Sequence, residues 1–420
     1  MKLLTRWGIE QELRDMSIYM PGFRLSRFET GEPFGTHVWE DEFLAESGGE
    51  IRTVNYSAFR KLLKDTAVNY GVDVRTKCRV TAVESKQYTQ PTVTLQSGET
   101  IRADVVLGAD GMESLVRTTV VGPEKTPEWQ GINAYNIFIP GDRIVGDPGL
   151  EELLNDRLLC GTFGNNRGYY SYAVPAAPSS EHKFDYVMNL WIREEVPQER
   201  WKAVDTKTVL EKMGEVEPRA RKLVGLATVI SSAPAVERES LEDWVHKEGR
   251  VLILGDAAHI FFPCSLQNLG VAVCDAATLG HLFQHLHHHR QIDQFLNAFE
   301  EIRPARIQYM KELEFSNLEF MTLENGPVQE QRDQALRERY KKGLNALDSD
   351  EQDALVGANV ATRFEAMMQV FCYDAEEEAD KWWVDWGSLQ ERASFSNINA
   401  DFSVQVQQLA TVETVNRESP

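Results

Sequence analysis

Twice in this chain a short apolar run stops at glycine and aspartate: Val105-Val106-Leu107-Gly108-Ala109-Asp110-Gly111 and Val251-Leu252-Ile253-Leu254-Gly255-Asp256. A strand that is apolar on both faces must be covered on both, which is the situation of a parallel strand in an α/β layer fold. Small residues at its carboxyl end leave room for a ligand at the strand edge. The pair therefore predicts an α/β fold with a binding site where two strands end. It also requires the roughly 145 residues from Gly111 to Asp256 to return the chain to the same layer.

Those intervening residues change character. From Pro123 to His246, strand-like runs at Ile132–Ile139, Tyr169–Val174 and Phe184–Ile192 predict a mostly antiparallel insert. Upstream, Leu3, Leu4, Trp7 and Ile9–Leu13 recur at helical spacing and break at Gly8, so the chain opens on a short helix pair. Phe23–Phe28 reads as a strand entering a hairpin at Glu29-Thr30-Gly31-Glu32, and Ser57–Tyr70 as a helix capped by Ser57, followed by a strand at Val72–Val74. Further strands are expected at Val80–Val83, Val93–Leu95 and Ile101, then a helix over Met112–Val120. Leu269–Leu286 predicts a long apolar helix, the chain from Asp293 is helical and charged, and the mixed charges of Gln329–Asn345 predict a solvated helix. The predicted plan is discontinuous: residues 1–123 and 249–330 form an incomplete Rossmann-like α/β unit, 124–248 an inserted antiparallel sheet (an α+β insert), and 331–420 a helical appendage.

The two runs carry chemistry in their last residues. Gly255 has no side chain to block a ligand, and the Asp256 carboxylate can accept hydrogen bonds from sugar hydroxyls. Pro263 then fixes a turn. A helix beginning near Asn268 and Leu269 offers free backbone N–H groups to a phosphate or to the electron-rich edge of a flavin ring. A tight structural turn would use the same residues. After Asp110-Gly111, Ser114 and Arg117 follow at one-turn spacing, which suits an arginine that holds a phosphate or one that locks the strand-end aspartate. In the insert, Tyr169, Tyr170 and Tyr172 are candidates to face a phenol, Tyr170 and Tyr172 being the tentative substrate pair, although three tyrosines on a strand are more often core or surface.

Together and in this order, Gly108-Ala109-Asp110-Gly111-Met112-Glu113-Ser114-Leu115-Val116-Arg117 and Gly255-Asp256-Ala257-Ala258-His259 resemble the FAD-dependent aromatic hydroxylases, the salicylate-hydroxylase and para-hydroxybenzoate-hydroxylase group, especially fungal monooxygenases of secondary metabolism. The resemblance implies that Asp110, Gly111 and Arg117 match the family's D-G pair and closing arginine, associated with FAD and NAD(P)H. It implies that Asp256 bonds the ribityl chain and that Pro263 lies beside the isoalloxazine ring. FAD is then the cofactor and NAD(P)H the reductant. A flavin C4a-hydroperoxide formed with dioxygen would hydroxylate a small phenolic or polyketide-like metabolite bound by the inserted sheet. Epoxidation, oxidative decarboxylation and ring cleavage share the same site and stay open. The catalytic residues are not assigned.

The chain departs from the family at defined points. No G-x-G-x-x-G occurs in the 420 residues, so the first strand, its pyrophosphate loop and helix are expected to be missing, either because the reading begins at an internal methionine or because the protein is a degenerate, non-catalytic homologue that binds a metabolite or a partner protein. In place of P-x-x-G-Q-G-x-N stands Pro263-Cys264-Ser265-Leu266-Gln267-Asn268-Leu269-Gly270. Leu266 and Asn268 replace glycines that let backbone approach the ring. The family's E-D-A is Cys274-Asp275-Ala276, and Tyr56 stands where its H-R-x-x-L arginine is expected.

A formal net charge of -21 argues against nucleic acid or an anionic membrane as partner. Five cysteines in no metal or disulfide pattern, and no apolar stretch of spanning length, predict a cytoplasmic protein without a membrane span. The composition leaves room for a homodimer. No metal is expected: the histidines from His281 to His289 read as a solvated helix end, His259 as a structural hydrogen-bonding group, and Trp382, Trp383 and Trp386 as a docked helix.

Overall fold

The computed structural model describes residues 1–86, 89–123, 126–177, 179–346, 366 and 368–389. Its largest element is an eight-stranded sheet in the order Lys202–Ala203, Val229–Glu237, Glu128–Ile139, Phe184–Arg193, Arg167–Pro175, Leu159–Gly164, Gly22–Arg27, Pro33–Val38. Neighbours are antiparallel except where Gly22–Arg27 runs parallel to Leu159–Gly164, from Phe23↔Leu159 to Arg27↔Phe163. The hairpin at Glu29–Glu32 forms as the sequence predicts, but its two strands join this sheet. The sheet therefore extends beyond residues 124–248, because alternation identifies a strand and leaves its partner undetermined.

Period-two alternation splits the sheet into two faces. Tyr135, Ile137, Tyr169, Tyr186 and Met188 pack with the helices Pro148–Asp156, Thr206–Met213 and Pro218–Gly225. Ala134, Phe163, Trp191 and Leu25 face the opposite way, toward Leu318, Met321 and Leu336. Each such large side chain contributes roughly 1.5–3 kcal/mol by leaving water.

The second region is built on the two opening motifs. Val106–Gly108 and Val251–Ile253 are parallel neighbours, with Val106↔Val251, Leu107↔Leu252 and Gly108↔Ile253 in register. Val251–Ile253 is fully buried, whereas Val106–Gly108 is an edge strand whose Leu107 is 47% exposed, less covered than the apolar run predicts. A Cβ on Gly108 would stand 2.6 Å from the Val116 side chain, so glycine there lets helix Leu115–Val121 lie against its strand. Val80–Glu84, Thr92–Leu95 and Thr100–Arg102 form a separate antiparallel sheet. Two local expectations change. Helix Tyr56–Asn69 is capped by Asn55, whose side chain accepts from Ala58 N–H at 3.2 Å, while Ser57 lies inside the helix; and Val72–Val74 joins no sheet.

Helix Gln291–Met321 ties the regions together. Its first turns bury Ile292, Phe295 and Phe299 against Val251–Ile253, and its last turns carry Leu318 and Met321 to the large sheet. Helix Pro327–Lys341 is predicted to be solvated but buries Arg332 and Asp333, with Arg27 Nη1 3.0 Å from Asp333 Oδ2. Mixed charge reads as a solvated surface until a partner strand supplies the opposite charge. Helix Ala375–Trp382 docks on Asn268–Phe283 and is clasped to the first helix, Lys2–Arg6, by Arg6 through Asp374 and Glu376. Among the described residues, no helix is long and apolar enough to cross a membrane.

Candidate active site

The two motifs meet where their strands end. Leu254 N–H donates to the Gly108 carbonyl at 3.0 Å, which continues the ladder into the turn. Asp110 caps the following helix: its carboxylate accepts from the Ser114 hydroxyl, Leu115 N–H at 2.9 Å and Val116 N–H at 3.2 Å. Arg117 is 2% exposed and donates through Nη1 to the carbonyls of Ala257 and Ala258 at 2.9 and 2.8 Å. Arg117 thus braces the first motif against the second.

Gly111 and Gly255 have φ of +79° and +60°, and among the described residues, chain neighbours aside, no heavy atom lies within 4 Å of a Cβ built on either. Glycine there supplies both the left-handed turn and the open space a ligand needs. The Asp256 carboxylate is half-buried and receives no hydrogen bond from the described residues. A free acceptor beside two open glycines fits the ribityl end of a flavin. Arg200, from the inserted segment, faces Asp256 and Glu113, and burial lowers its guanidinium pKa against the pull of those carboxylates.

Behind the second motif lies a buried ionic node. Asp275 is 0% exposed and receives Arg303 Nε at 2.8 Å, Gly255 N–H at 2.9 Å and His259 Nε2 at 2.6 Å. Burial alone would raise its pKa, but His259 and Arg303 outweigh it and hold the carboxyl below its ordinary value. The node fixes the Gly255 turn, and His259 takes the structural role the sequence predicts for it.

Pro263 is buried, and its carbonyl accepts the Trp191 indole N–H at 3.0 Å, anchoring the loop to the large sheet. Beyond it, Cys264 adopts φ +67°, and helix Asn268–Phe283 begins. This loop borders a cavity of about 670 Å³. Cys264, Leu266 and Leu269 line it on one side, Tyr170, Tyr172 and Trp191 on the sheet side. Tyr169 points to the other face, against Phe28. Burial pushes the Tyr172 phenol and the Cys264 thiol up, each to about 12. Of the predicted site residues, Tyr170, Tyr172 and Leu269 line the cavity; Asp110, Gly111, Arg117, Gly255 and Asp256 group at the strand ends, and Pro263 and Asn268 flank the loop between.

Sequence reasoning passed over the polar line on the cavity face of the sheet. Asn136 Nδ2 donates to Asn189 Oδ1 at 2.7 Å, and Asn189 Nδ2 donates to the Tyr172 oxygen at 3.2 Å. An asparagine within Tyr135-Asn136-Ile137 and another within Met188-Asn189-Leu190 are signals that could have found it, since asparagine is depleted in strands. Arg200 and Glu314 lie in segments with no local pattern and were not legible. Elsewhere, His281 Nε2 lies 2.8 Å from Asp380, so a carboxylate from the C-terminal helix meets the histidine cluster.

A family model described as FAD binding domain matches residues 1–313. The FAD-dependent monooxygenase OpS4 of Beauveria bassiana (strain ARSEF 2860) is 22% identical over 340 residues, covering 80% of this chain and 77% of that protein. The 6-hydroxynicotinate 3-monooxygenase of Pseudomonas fluorescens is 25% identical over 320 residues, covering 73% and 77%. Among solved structures, CtdE in complex with FAD and a substrate aligns with a TM-score of 0.70 at 17% identity, covering 91% of this chain and 85% of that one. A salicylate hydroxylase substrate complex aligns with a TM-score of 0.65 at 18% identity, covering 90% and 87%. At these identities the structural likeness establishes the fold.

Proposed function

The chain belongs to the FAD-binding family of aromatic-hydroxylase-type monooxygenases, and from that premise we propose that it takes electrons from NAD(P)H and inserts one atom of dioxygen into a small aromatic metabolite. The observation that carries this reading is the placement of the loop after Pro263. It joins strand ends with two open glycines and an Asp256 carboxylate that receives no hydrogen bond from the described residues to a cavity walled by Tyr170, Tyr172 and Trp191. In this reading Asp256, Gly111, Gly255 and the N–H groups at Asn268 and Leu269 would hold the flavin, Asp256 as an acceptor for ribityl hydroxyls and the glycines by leaving space for it. Bound FAD supplies the redox chemistry that activates dioxygen.

The chain's own residues orient the substrate and keep water out. Tyr172 holds its proton at neutral pH, and because its oxygen already accepts from Asn189, that proton is free to donate to a substrate oxygen. Trp191 meets Tyr170 and Phe262 edge-on, with ring centroids 5.5 and 6.1 Å away, and makes the cavity wall stiff and apolar.

The test is the visible spectrum of the purified chain after incubation with FAD, followed by NAD(P)H consumption with product identification. A yellow protein that consumes NAD(P)H only with an aromatic substrate supports the proposal; a protein that stays colourless ends it. A second reading, aromatic binding without turnover, draws on Leu266, whose N–H is already taken by Glu314. It requires aromatic ligands to bind a chain that never holds flavin.

A further inference from the structure

Glu314 sits on the cavity side of helix Gln291–Met321 and is 7% exposed. Its Oε2 accepts the Ser265 hydroxyl at 2.6 Å and Leu266 N–H at 3.2 Å, while Gln267 N–H donates to the Ser265 oxygen at 3.3 Å. Among the described residues, no lysine, arginine or histidine pairs with it. The three arginines that line the same cavity are committed elsewhere. Arg52 is paired with Glu50 at 2.6 Å. Arg303 is bound to Asp275, and Arg306 lies 4.2 Å from the Tyr373 ring centroid and donates to the Gln369 carbonyl. A buried carboxyl group without a cation is costly to ionise and needs hydrogen-bond donors. Burial accordingly pushes the Glu314 carboxyl up despite these hydrogen bonds. Leu266, Leu313, Phe262 and Tyr170 make the surrounding wall largely apolar, so a donor arriving on a ligand finds little competition there.

We propose that Glu314 is a specificity-determining residue of the cavity, accepting a hydrogen bond from a phenol O–H or ring N–H of the aromatic ligand and disfavouring anionic aromatics. This rests on the reading that the cavity holds an aromatic substrate. A site built to pair with a donor rejects an analogue lacking it far more strongly than an apolar pocket rejects a change of shape, because the buried acceptor is left unpaired. An aromatic carboxylate brings a charge that finds no cation beside Glu314 among the described residues.

The purified full chain is titrated with 2-naphthol, 2-methoxynaphthalene and 2-naphthoate, following quenching of the emission of Trp39 and Trp191, which line the cavity. The naphthol is expected to bind about tenfold more tightly than the methyl ether, with the naphthoate weaker still. In Glu314→Gln the amide can turn its N–H group into the cavity, and the naphthol preference disappears while the naphthoate gains. The wild-type ranking tests the idea even where the variant does not fold: a naphthoate that binds as tightly as the naphthol overturns it, as does an unchanged ranking in folded Glu314→Gln. Equal binding of all three leaves the aromatic cavity standing and removes Glu314 from it. Absence of quenching by any of them removes the aromatic cavity, and this proposal with it.

Discussion

Asp275 and Glu314 are both buried carboxyl groups that touch the long helix Gln291–Met321, yet their surroundings shift them in opposite directions. Asp275 meets Arg303 from that helix and His259 from the second motif, and is held below its ordinary pKa. Glu314, about three turns further along, meets a hydroxyl and a backbone N–H group, and is held above it. Burial penalises charge at both sites; the counter-cation decides the outcome. Where the charge is answered from within the chain the group is architecture, and where it is not, a ligand can complete it.

The largest effect that separates the two is expected from Asp275→Ala. Arg303, 1% exposed, would keep its charge and lose its carboxylate, at a cost of about 3–5 kcal/mol in denaturant unfolding. A loss below about 1 kcal/mol would break the comparison, since the node would then not be structural. Arg117→Met should come next, leaving the Ala257 and Ala258 carbonyls without their buried donor at about 1–3 kcal/mol each, with FAD retention falling as the second motif loosens.

Acidity gives a finer test. Asp275 has a folded pKa below its unfolded value near 3.9, so its stabilisation is present above that value and is lost as pH falls through the folded one. Glu314 runs the other way. Its folded pKa lies above an unfolded value near 4.3, so its contribution is present below that value and is lost as pH rises through the folded one. Melting curves of wild type and Glu314→Gln should coincide in acid and separate as pH rises, the glutamine variant becoming the more stable. A separation that grows toward acid would reverse the assignment. The smallest effect is expected for Glu314→Gln near its own titration range, within about 1 kcal/mol of wild type, because glutamine can accept the same Ser265 and Leu266 hydrogen bonds.

Much of the fold was legible because its signals are local. The helix pair broken at Gly8, the hairpin around Gly31, the strands at Ile132–Ile139 and Phe184–Ile192 and the long helix from Asn268 follow from period, turn residues and apolar runs. The strand ends at Gly108 and Gly255 were legible for the same reason. The sheet membership of Gly22–Val38, the burial of Arg332 and Asp333 and the Asn55 cap were not, because each depends on which of several compatible partners lies alongside.

The sequence by itself determined that two glycine-ended strands share a layer, that an antiparallel sheet intervenes, and which family the chain resembles, since those signals are written within a few consecutive residues. Only the tertiary structure decided that Arg117 braces one motif against the other and that Tyr170 rather than Tyr169 faces the cavity. It alone set Asp275 against Arg303 and His259, and Glu314 against no cationic side chain among the described residues. The reason is physical: a charge or a ring acquires its role from groups distant in sequence, and the field at a buried carboxyl group exists only once the chain has closed around it.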